Sequence, residues 1–569
     1  MKKLINDPAL VVPEMLEGLT RLHPGLALLP ASQVVFRAGG KTKGVALISG
    51  GGAGHEPAHA GFVGPGLLHA AVTGDVFTSP STDAILAAVH AVAGPGGVLL
   101  IVKNYTGDRL NFGMAAEMAR AEGIATEIVI VDDDVALDAG ADTVGRRGIA
   151  GTVLVHKVAG AAAAAGLDLA RVKAEAQAAV AALGTMGVAL SPCTVPAAGK
   201  PGFALGEGEI ELGLGIHGEA GARRTAMEAA DRLVESLLDR ITEQKTLRAG
   251  DRVALLINNL GATPVMELMI IARHALAVLE EQGIAVERAW AGTFLTAIEM
   301  AGCSLSLLKL DGTRLARLDA FASAPAWVAG EAPQRLAPPS AAAPEVAPPG
   351  TPSPRFEAAL RAVSTALTEA EPVLTAMDQA VGDGDLGISL ARGAMAIRDA
   401  LPRLDLAHPP AALAALSVIV RRVLGGTSGP LYAVLLLRAS RHLSAAATLG
   451  PGAWAEAFGA GVAALAELGG GQAGDRTMLD ALLPAAAALK RVLATDTTSV
   501  GTALAAAAAA AREGASATAD MTPRRGRSTY LGARTVGYPD PGAEAVAIWL
   551  GALAERFQQV VHPVRSERS

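Results

Sequence analysis

Three carboxylates crowd into the eight positions from Asp378 to Asp385, within the run Met377-Asp378-Gln379-Ala380-Val381-Gly382-Asp383-Gly384-Asp385-Leu386-Gly387. Charges this close repel one another unless a cation lies between them. A hard, oxygen-seeking ion such as Mg²⁺ relieves the repulsion, and Mg²⁺ usually travels with substrate phosphates. Gly382 and Gly384 let the backbone turn sharply enough for the carboxylates to converge. A solvated acidic turn is the other reading of the same residues.

Three further polar clusters each follow a compact apolar run, and ligands of α/β sheets gather beyond the carboxyl ends of strands. The first is Gly50-Gly51-Gly52-Ala53-Gly54-His55-Glu56-Pro57, directly after the run 44–49. Its glycines open main-chain amides to a small ligand, with His55 beside them. The second, from Lys103 to Asn111, follows the run 97–102. Its Asp108 reads either as the N-cap of the next helix or as an acid/base group. The third is Gly213-Leu214-Gly215-Ile216-His217-Gly218-Glu219, whose glycines leave His217 on open backbone. That histidine is either functional or buried and satisfied.

The elements that position these residues divide the chain in two. The N-terminal part alternates strands (44–49, 97–102, 127–131) with helical patterns (81–93, 111–122), which predicts a largely parallel sheet covered on both faces. A second α/β unit begins after Gly184, with strands at 252–257, 286–290 and 305–310 and a helix at 264–282 between the first two. From Glu331 to Pro354, Pro and Ala dominate, as in Ala337-Pro338-Pro339-Ser340, so this stretch reads as a semi-rigid, partly polyproline spacer. Beyond Phe356 long Ala/Leu segments broken by glycines predict an all-α part of seven or eight helices. The fold class is therefore an α/β N-terminal domain at 1–330 (subdomains about 1–184 and 185–330), a linker at 331–354 and a helical domain at 355–569.

Composition excludes several classes. At 569 residues the chain exceeds one ordinary domain. A formal charge of −7 gives no basic footprint for nucleic acid. No uncharged apolar run is long enough to span a membrane; the 503–511 stretch is short and Ala-dominated. Lys2 and Lys3 are not followed by an apolar segment, so no signal peptide is expected. Cys193 and Cys303 lie far apart without zinc spacing, which fits free thiols in a reducing cytoplasm.

Taken together, Gly50–Pro57, Lys103–Phe112, Arg146–Gly160 (RRGIAGTVLVHKVAG) and Gly213–Glu219 resemble the K domain of dihydroxyacetone kinases. Asp378–Gly387, Gly425–Tyr432, Gly474–Asp480, Gly526–Gly532 and Asp540–Ala543 resemble the L domain of the same family. The motifs occur in the family's order and cover the chain apart from the linker.

The resemblance implies a mechanism. His217 adds to the substrate carbonyl as a hemiaminal, so glycerol, which has no carbonyl, is filtered out. Asp108 is the general base toward the terminal hydroxyl. His55 bonds the substrate and assists proton movement, while Gly52, Ala53, Gly54 and Lys103 shape the pocket. Asp378, Asp383 and Asp385 hold Mg²⁺, with two ions expected, against the phosphates of ATP. No Gly-x-x-x-x-Gly-Lys-Ser/Thr loop is present. The resemblance instead places Leu386, Gly387, Ile388, Ser389, Thr427 and Ser428 at the phosphates. Arg527, Asp540, Pro541 and Gly542 lie around the nucleotide, with Gly469, Thr477 and Met478 near the base.

Fusion of K and L in one chain resembles the branch that exchanges free ATP, whose members are homodimers with L docked on the K domain of the other subunit. The linker of about 24 residues spans roughly 70 Å if extended. Two residues depart from the pattern: Leu386 stands where relatives often carry His or Cys, and Ala220 where Pro is usual. The alternatives are a kinase for another short ketose such as erythrulose, FAD-AMP lyase (FMN cyclase) activity, and a ligand-sensing co-regulator.

Overall fold

The computed structural model describes residues 2–136, 145–334, 353–495, 499–525 and 527–559. The chain forms two compact units, Met1–Pro338 and Pro339–Ser569.

The first unit opens with α1 (Val11–Leu22) and then builds a sheet from β1 (Leu26–Leu29), β2 (Val34–Arg37), β3 (Ala46–Ala53), β4 (Ala70–Val76), β5 (Val98–Lys103) and β6 (Thr126–Val131). Its order is β1-β2-β4-β3-β5-β6. The pairs from β4 through β3 and β5 to β6 are parallel, and β1 and β2 add antiparallel. Val, Leu and Ile on both faces of the central strands explain the burial. One face packs on α2 (Thr82–Val92) and α3 (Thr106–Ala121), the other on α4 (Thr152–Ala164) and α5 (Leu169–Ala182).

The second sheet combines β7 (Leu183–Ala189), β8 (Glu209–Leu212), β9 (Arg223–Ala226), β10 (Arg252–Asn259), β11 (Ala285–Gly292) and β12 (Gly302–Lys309). Its order is β11-β10-β12-β7-β8-β9. Helices α6 (Ala230–Gln244) and α7 (Val265–Glu281) cover one face, and α8 (Gly312–Asp319) follows β12. Ala254, Leu256 and Leu308 on its other face join the core that holds α4 and α5. The sheets also meet through the backbone, where Thr185 N donates to Asp133 O at 2.7 Å and Val135 N to Thr185 O at 2.9 Å.

The structure corrects two sequence expectations, on the glycines at 50–52 and on the N-cap reading of Asp108, and adds the strand directions of the second sheet and the edges of the linker. Only β10–β11 is parallel in the second sheet, because its remaining neighbours are joined without right-handed helical crossovers. The glycines at 50–52 belong to β3 itself; a Cβ at Gly52 would lie 2.5 Å from Thr78 N, so glycine lets the strand continue where backbone approaches closely. Helix α3 begins at Thr106, which puts Asp108 in its first turn and not at the N-cap. The two edges of the expected linker carry local structure. Glu331 O accepts from Ala289 N at 2.9 Å, and Pro354 opens a helix; residues 335–352 lie outside the described set.

The second unit shows nine α-helices among its described residues, against seven or eight expected. They are α9 (Pro354–Glu369), α10 (Glu371–Val381), α11 (Leu386–Ala400), α12 (Pro409–Val423), α13 (Ser428–Ala445), α14 (Pro451–Gly469), α15 (Leu479–Leu493), α16 (Val500–Ala517) and α17 (Pro541–Gln559). The extra helix arises because α9 and α10 break at Ala370 with a proline just beyond. Buried alanines from α15, α16 and α17 make a closely packed core. Among the described residues no helix is long and apolar enough to cross a membrane.

Candidate active site

His55 follows β3 by two residues and is completely buried. Its Nδ1 lies 2.7 Å from Thr296 O, and its Nε2 lies 3.0 Å from Nε2 of His217, which comes from the loop after β8. Nδ1 of His217 is 2.7 Å from Glu219 Oε1, and Glu219 Oε2 accepts from His217 N at 3.0 Å. Phe77 stacks on His55 at 5.1 Å, while Tyr105 meets the His217 ring edge-on at 4.7 Å.

The partners assign the protons. A carbonyl opposite His55 Nδ1 requires N–H there. Burial, with help from Lys103, pushes the His55 imidazolium well below its ordinary range, so the ring is neutral and Nε2 accepts. His217 Nε2 is then the donor, and a carboxylate opposite Nδ1 makes that nitrogen a donor too. Burial alone would raise the Glu219 carboxyl, but the hydrogen bond and charge of His217 outweigh it and hold it at about 2. The row thus runs from the Thr296 carbonyl through neutral His55 and His217 to anionic Glu219, with one proton held between the two facing Nε2 atoms.

Beside this row lie Lys103, the last residue of β5, and Asp108 in the first turn of α3. Both are almost wholly buried. A Cβ on Gly51 would sit 3.3 Å from Lys103 Cε and 3.6 Å from Asp108 Oδ2, so glycine leaves room for both side chains. Burial raises the Asp108 carboxyl above its usual range, opposed by Lys103 and a hydrogen bond from Ser79. Burial lowers the Lys103 ammonium, opposed by Asp108, Glu219, Asp133 and Glu56. Asp108 Oδ1 has no hydrogen-bond partner among the described residues. Such a carboxylate, more basic than in water, suits proton abstraction. Gly52 and Ala53 close β3, and Gly54 N donates to the Glu56 carboxylate at 3.0 Å.

The second unit carries the other cluster. One carboxylate oxygen from each of Asp378, Asp383 and Asp385 lies within 4.8 Å of the others. Asp378 lies in the last turn of α10, and its Oδ2 accepts from Asp385 N at 2.9 Å and Leu386 N at 3.1 Å. Gly384 adopts φ of +77°, and a Cβ on Gly382 would lie 2.5 Å from Asp378 Oδ1. An all-oxygen trio on a turn, partly open to solvent, fits a hard divalent cation that keeps some of its waters.

The trio lines a cavity of about 500 Å³, together with Leu386, Ser389, Thr427, Ser428, Gly469, Thr477, Met478, Asp540, Pro541 and Gly542. Gly387 and Ile388 are not on its wall. Gly387 faces α10, where a Cβ would meet Thr375 Oγ1 at 2.3 Å, and Ile388 points outward, half exposed. Helical rotation separates them from Leu386 and Ser389 on the same turn. Arg527 begins a 3-10 turn, and its side chain lies outside the described set. Burial pushes the Asp540 carboxyl up to about 6, and its Oδ1 accepts from Ala543 N at 2.8 Å, capping α17.

Sequence reasoning missed Arg476, fully buried on the cavity wall, whose NH2 donates to Tyr538 O at 2.8 Å and Thr535 O at 3.2 Å. It also missed Phe77, Thr296 and Glu219. Only Glu219 carried a signal, a carboxylate two residues from His217.

The fold and these two sites define a two-domain kinase of the dihydroxyacetone kinase family, to which the chain belongs. It matches the Dak1 domain over residues 17–326 and the DAK2 domain over 380–555. A putative 3,4-dihydroxy-2-butanone kinase of Solanum lycopersicum is 48% identical over 97% of this chain and 98% of its own. The triokinase/FMN cyclase of Homo sapiens is 43% identical over 98% and 99%. The crystal structure of the dihydroxyacetone kinase from C. freundii in complex with AMP-PNP and Mg²⁺ is 37% identical, covers 97% of this chain and 99% of its own, and superposes with a TM-score of 0.61.

Proposed function

We propose that the protein transfers the γ-phosphoryl group of ATP to dihydroxyacetone, and also to glyceraldehyde, with the acceptor tethered on His217. The observation that carries this reading is the meeting of His217, His55, Lys103 and Asp108 at the strand ends of one unit. The proton between the two Nε2 atoms first moves to His55, which frees the His217 Nε2 lone pair to bond the carbonyl carbon; His55 then gives that proton to the carbonyl oxygen, which becomes a hydroxyl. Nδ1–H stays paired with Glu219, so the adduct needs no further proton. Lys103 orients the held substrate, and Asp108 accepts the proton of the terminal hydroxyl as that oxygen takes the phosphoryl group.

Asp378, Asp383 and Asp385 are the residues that would hold Mg²⁺, whose charge neutralises phosphate oxygens during transfer. Thr427, Ser428 and the start of α11 face the phosphates, and Gly469, Thr477 and Met478 the base. The enzyme works as a cytoplasmic homodimer in this reading, where two buried free thiols persist.

The relatives support two other acceptor chemistries on the same scaffold. The tomato protein's name points to a four-carbon ketone, the class to which erythrulose belongs, and the human protein's to FMN cyclase activity. A purely ligand-sensing co-regulator has no use for the carboxylate trio and its cavity.

Paired variants of the full chain test the division of labour. His217→Ala is expected to lose the carbonyl adduct and keep Mg²⁺-nucleotide binding; Asp383→Ala is expected to do the reverse. Loss of both functions in either folded variant contradicts the two-site reading.

A further inference from the structure

The segment Arg146–Gly160 stands out in the sequence, yet the proposed chemistry uses none of it. Its second residue, Arg147, lies between β6 and α4 and reaches the loop that carries His217. Arg147 Nε donates to Asp134 Oδ2 at 2.8 Å, and its NH2 lies 2.6 Å from the same oxygen. Asp134 is nearly buried, and its Oδ1 accepts from Ala136 N at 2.9 Å. Its amide donates to Arg147 O at 3.0 Å, and it bridges Thr185 of β7 where the two sheets meet. The anchor is therefore fixed at both side chain and backbone.

The far edge of the guanidinium faces both ends of the His217 loop. NH2 donates to Gly213 O at 2.7 Å, and NH1 approaches Ala220 O at 3.4 Å and Glu219 O at 3.5 Å. It also lies over the loop's centre, since a Cβ on Gly215 would come within 2.6 Å of NH1. Glu219 O in turn accepts from Gly215 N at 2.9 Å, and the Glu219 carboxylate holds His217 by Nδ1 and by its amide. Among the described residues, the hydrogen bonds of the imidazole run to Glu219, whose backbone the guanidinium faces, and to His55, while Tyr105 and Phe77 pack against the ring.

We propose that Arg147, anchored on Asp134, is a positioning residue that sets the orientation of His217 for carbonyl addition. It touches no substrate itself, and this role rests on the reading of His217 as the tether. A planar fork can hold a carboxylate and a carbonyl at once, whereas a lysine ammonium is a point charge on a flexible stem. Misplacing a reacting group by about 1 Å costs up to roughly a hundredfold in rate.

The test compares the parent, Arg147→Lys, Asp134→Asn and His217→Ala, each as the full chain with its melting temperature recorded. The first readout is the downfield NMR resonance of His217 Nδ1–H, assigned by its loss in His217→Ala. The second is the hemiaminal carbon signal formed with [2-13C]dihydroxyacetone. Arg147→Lys is expected to fold, to broaden or shift the Nδ1–H resonance, to weaken adduct formation by about tenfold or more, and to leave the KM for ATP unchanged. Asp134→Asn is expected to follow it in direction. An unchanged Nδ1–H resonance in folded Arg147→Lys overturns the proposal, as does parent-like adduct affinity. Absence of the adduct in the parent would instead overturn the tethering chemistry, and the resonance would still decide the role of Arg147.

Discussion

His156 allows a stability prediction that can be worked through in numbers. It is fully buried in α4, with its ring 5.2 Å from that of His59, and neither ring nitrogen has a hydrogen-bond partner among the described residues. Burial, helped by the nearby Lys103 ammonium, pushes its imidazolium down to about 3. The folded state therefore excludes a proton that the unfolded chain binds near pH 6.5. The contribution of a neutral His156 is fully present above that value and is lost as pH falls from about 6.5 toward 3. At pH 5.5 the unfolded imidazole is protonated about tenfold over neutral, so this one group costs about 1.4 kcal/mol relative to pH 7.5.

In His156→Leu, a change of similar volume, that term vanishes, and so does the cost of unpaired buried nitrogens, about 1–3 kcal/mol each. His55, His59 and His69 are pushed the same way but remain in both proteins, so they cancel in the difference. The assay is urea unfolding at pH 7.5 and 5.5 read by a thiol-labelling pulse calibrated on unfolded protein. Cys193 and Cys303 are the chain's two cysteines, and both are buried in the first unit, so labelling reports that unit alone. The variant should lose about 1.4 kcal/mol less than the parent between the two pH values. Equal losses would refute the claim that a buried neutral histidine excludes that proton.

Two substitutions probe the sites separately. Gly51→Ala puts a methyl 3.3–3.4 Å from the end of Lys103, so the KM for the triose should rise about tenfold while ATP affinity stays put; steady-state kinetics with each substrate varied in turn checks this. Gly382→Ala drives a methyl to 2.5 Å from Asp378 Oδ1 and should weaken Mg²⁺-nucleotide binding about tenfold or more by calorimetry, with dihydroxyacetone binding unchanged.

Much of this architecture is legible in the sequence because it is local. The Asp378–Asp385 trio converges through two glycines in one turn, and the apolar runs 97–102 and 127–131 are strands within a residue or so of their expected ends. What escaped is non-local. Whether a strand pairs parallel depends on its partners, so the mostly antiparallel pairing of the second sheet left no mark in any single run. Continuation of β3 through Gly50–Gly52 depends on the backbone at Phe77 and Thr78. Thr296 meets His55 across 241 residues, and Arg147 meets the His217 loop across more than 60, so no spacing rule reveals either. Gly387 follows the aspartate trio in sequence, but helical rotation turns it toward α10.

The central claim is that a carbonyl, held by His217, is required for phosphoryl transfer from ATP. Its most direct test is ADP release by the purified full chain with Mg²⁺-ATP, comparing dihydroxyacetone, glyceraldehyde, erythrulose and glycerol. Turnover that depends on dihydroxyacetone, is abolished in His217→Ala and is absent with glycerol is the predicted result. Glycerol turnover equal to that with dihydroxyacetone, or no turnover with any carbonyl compound, would contradict it.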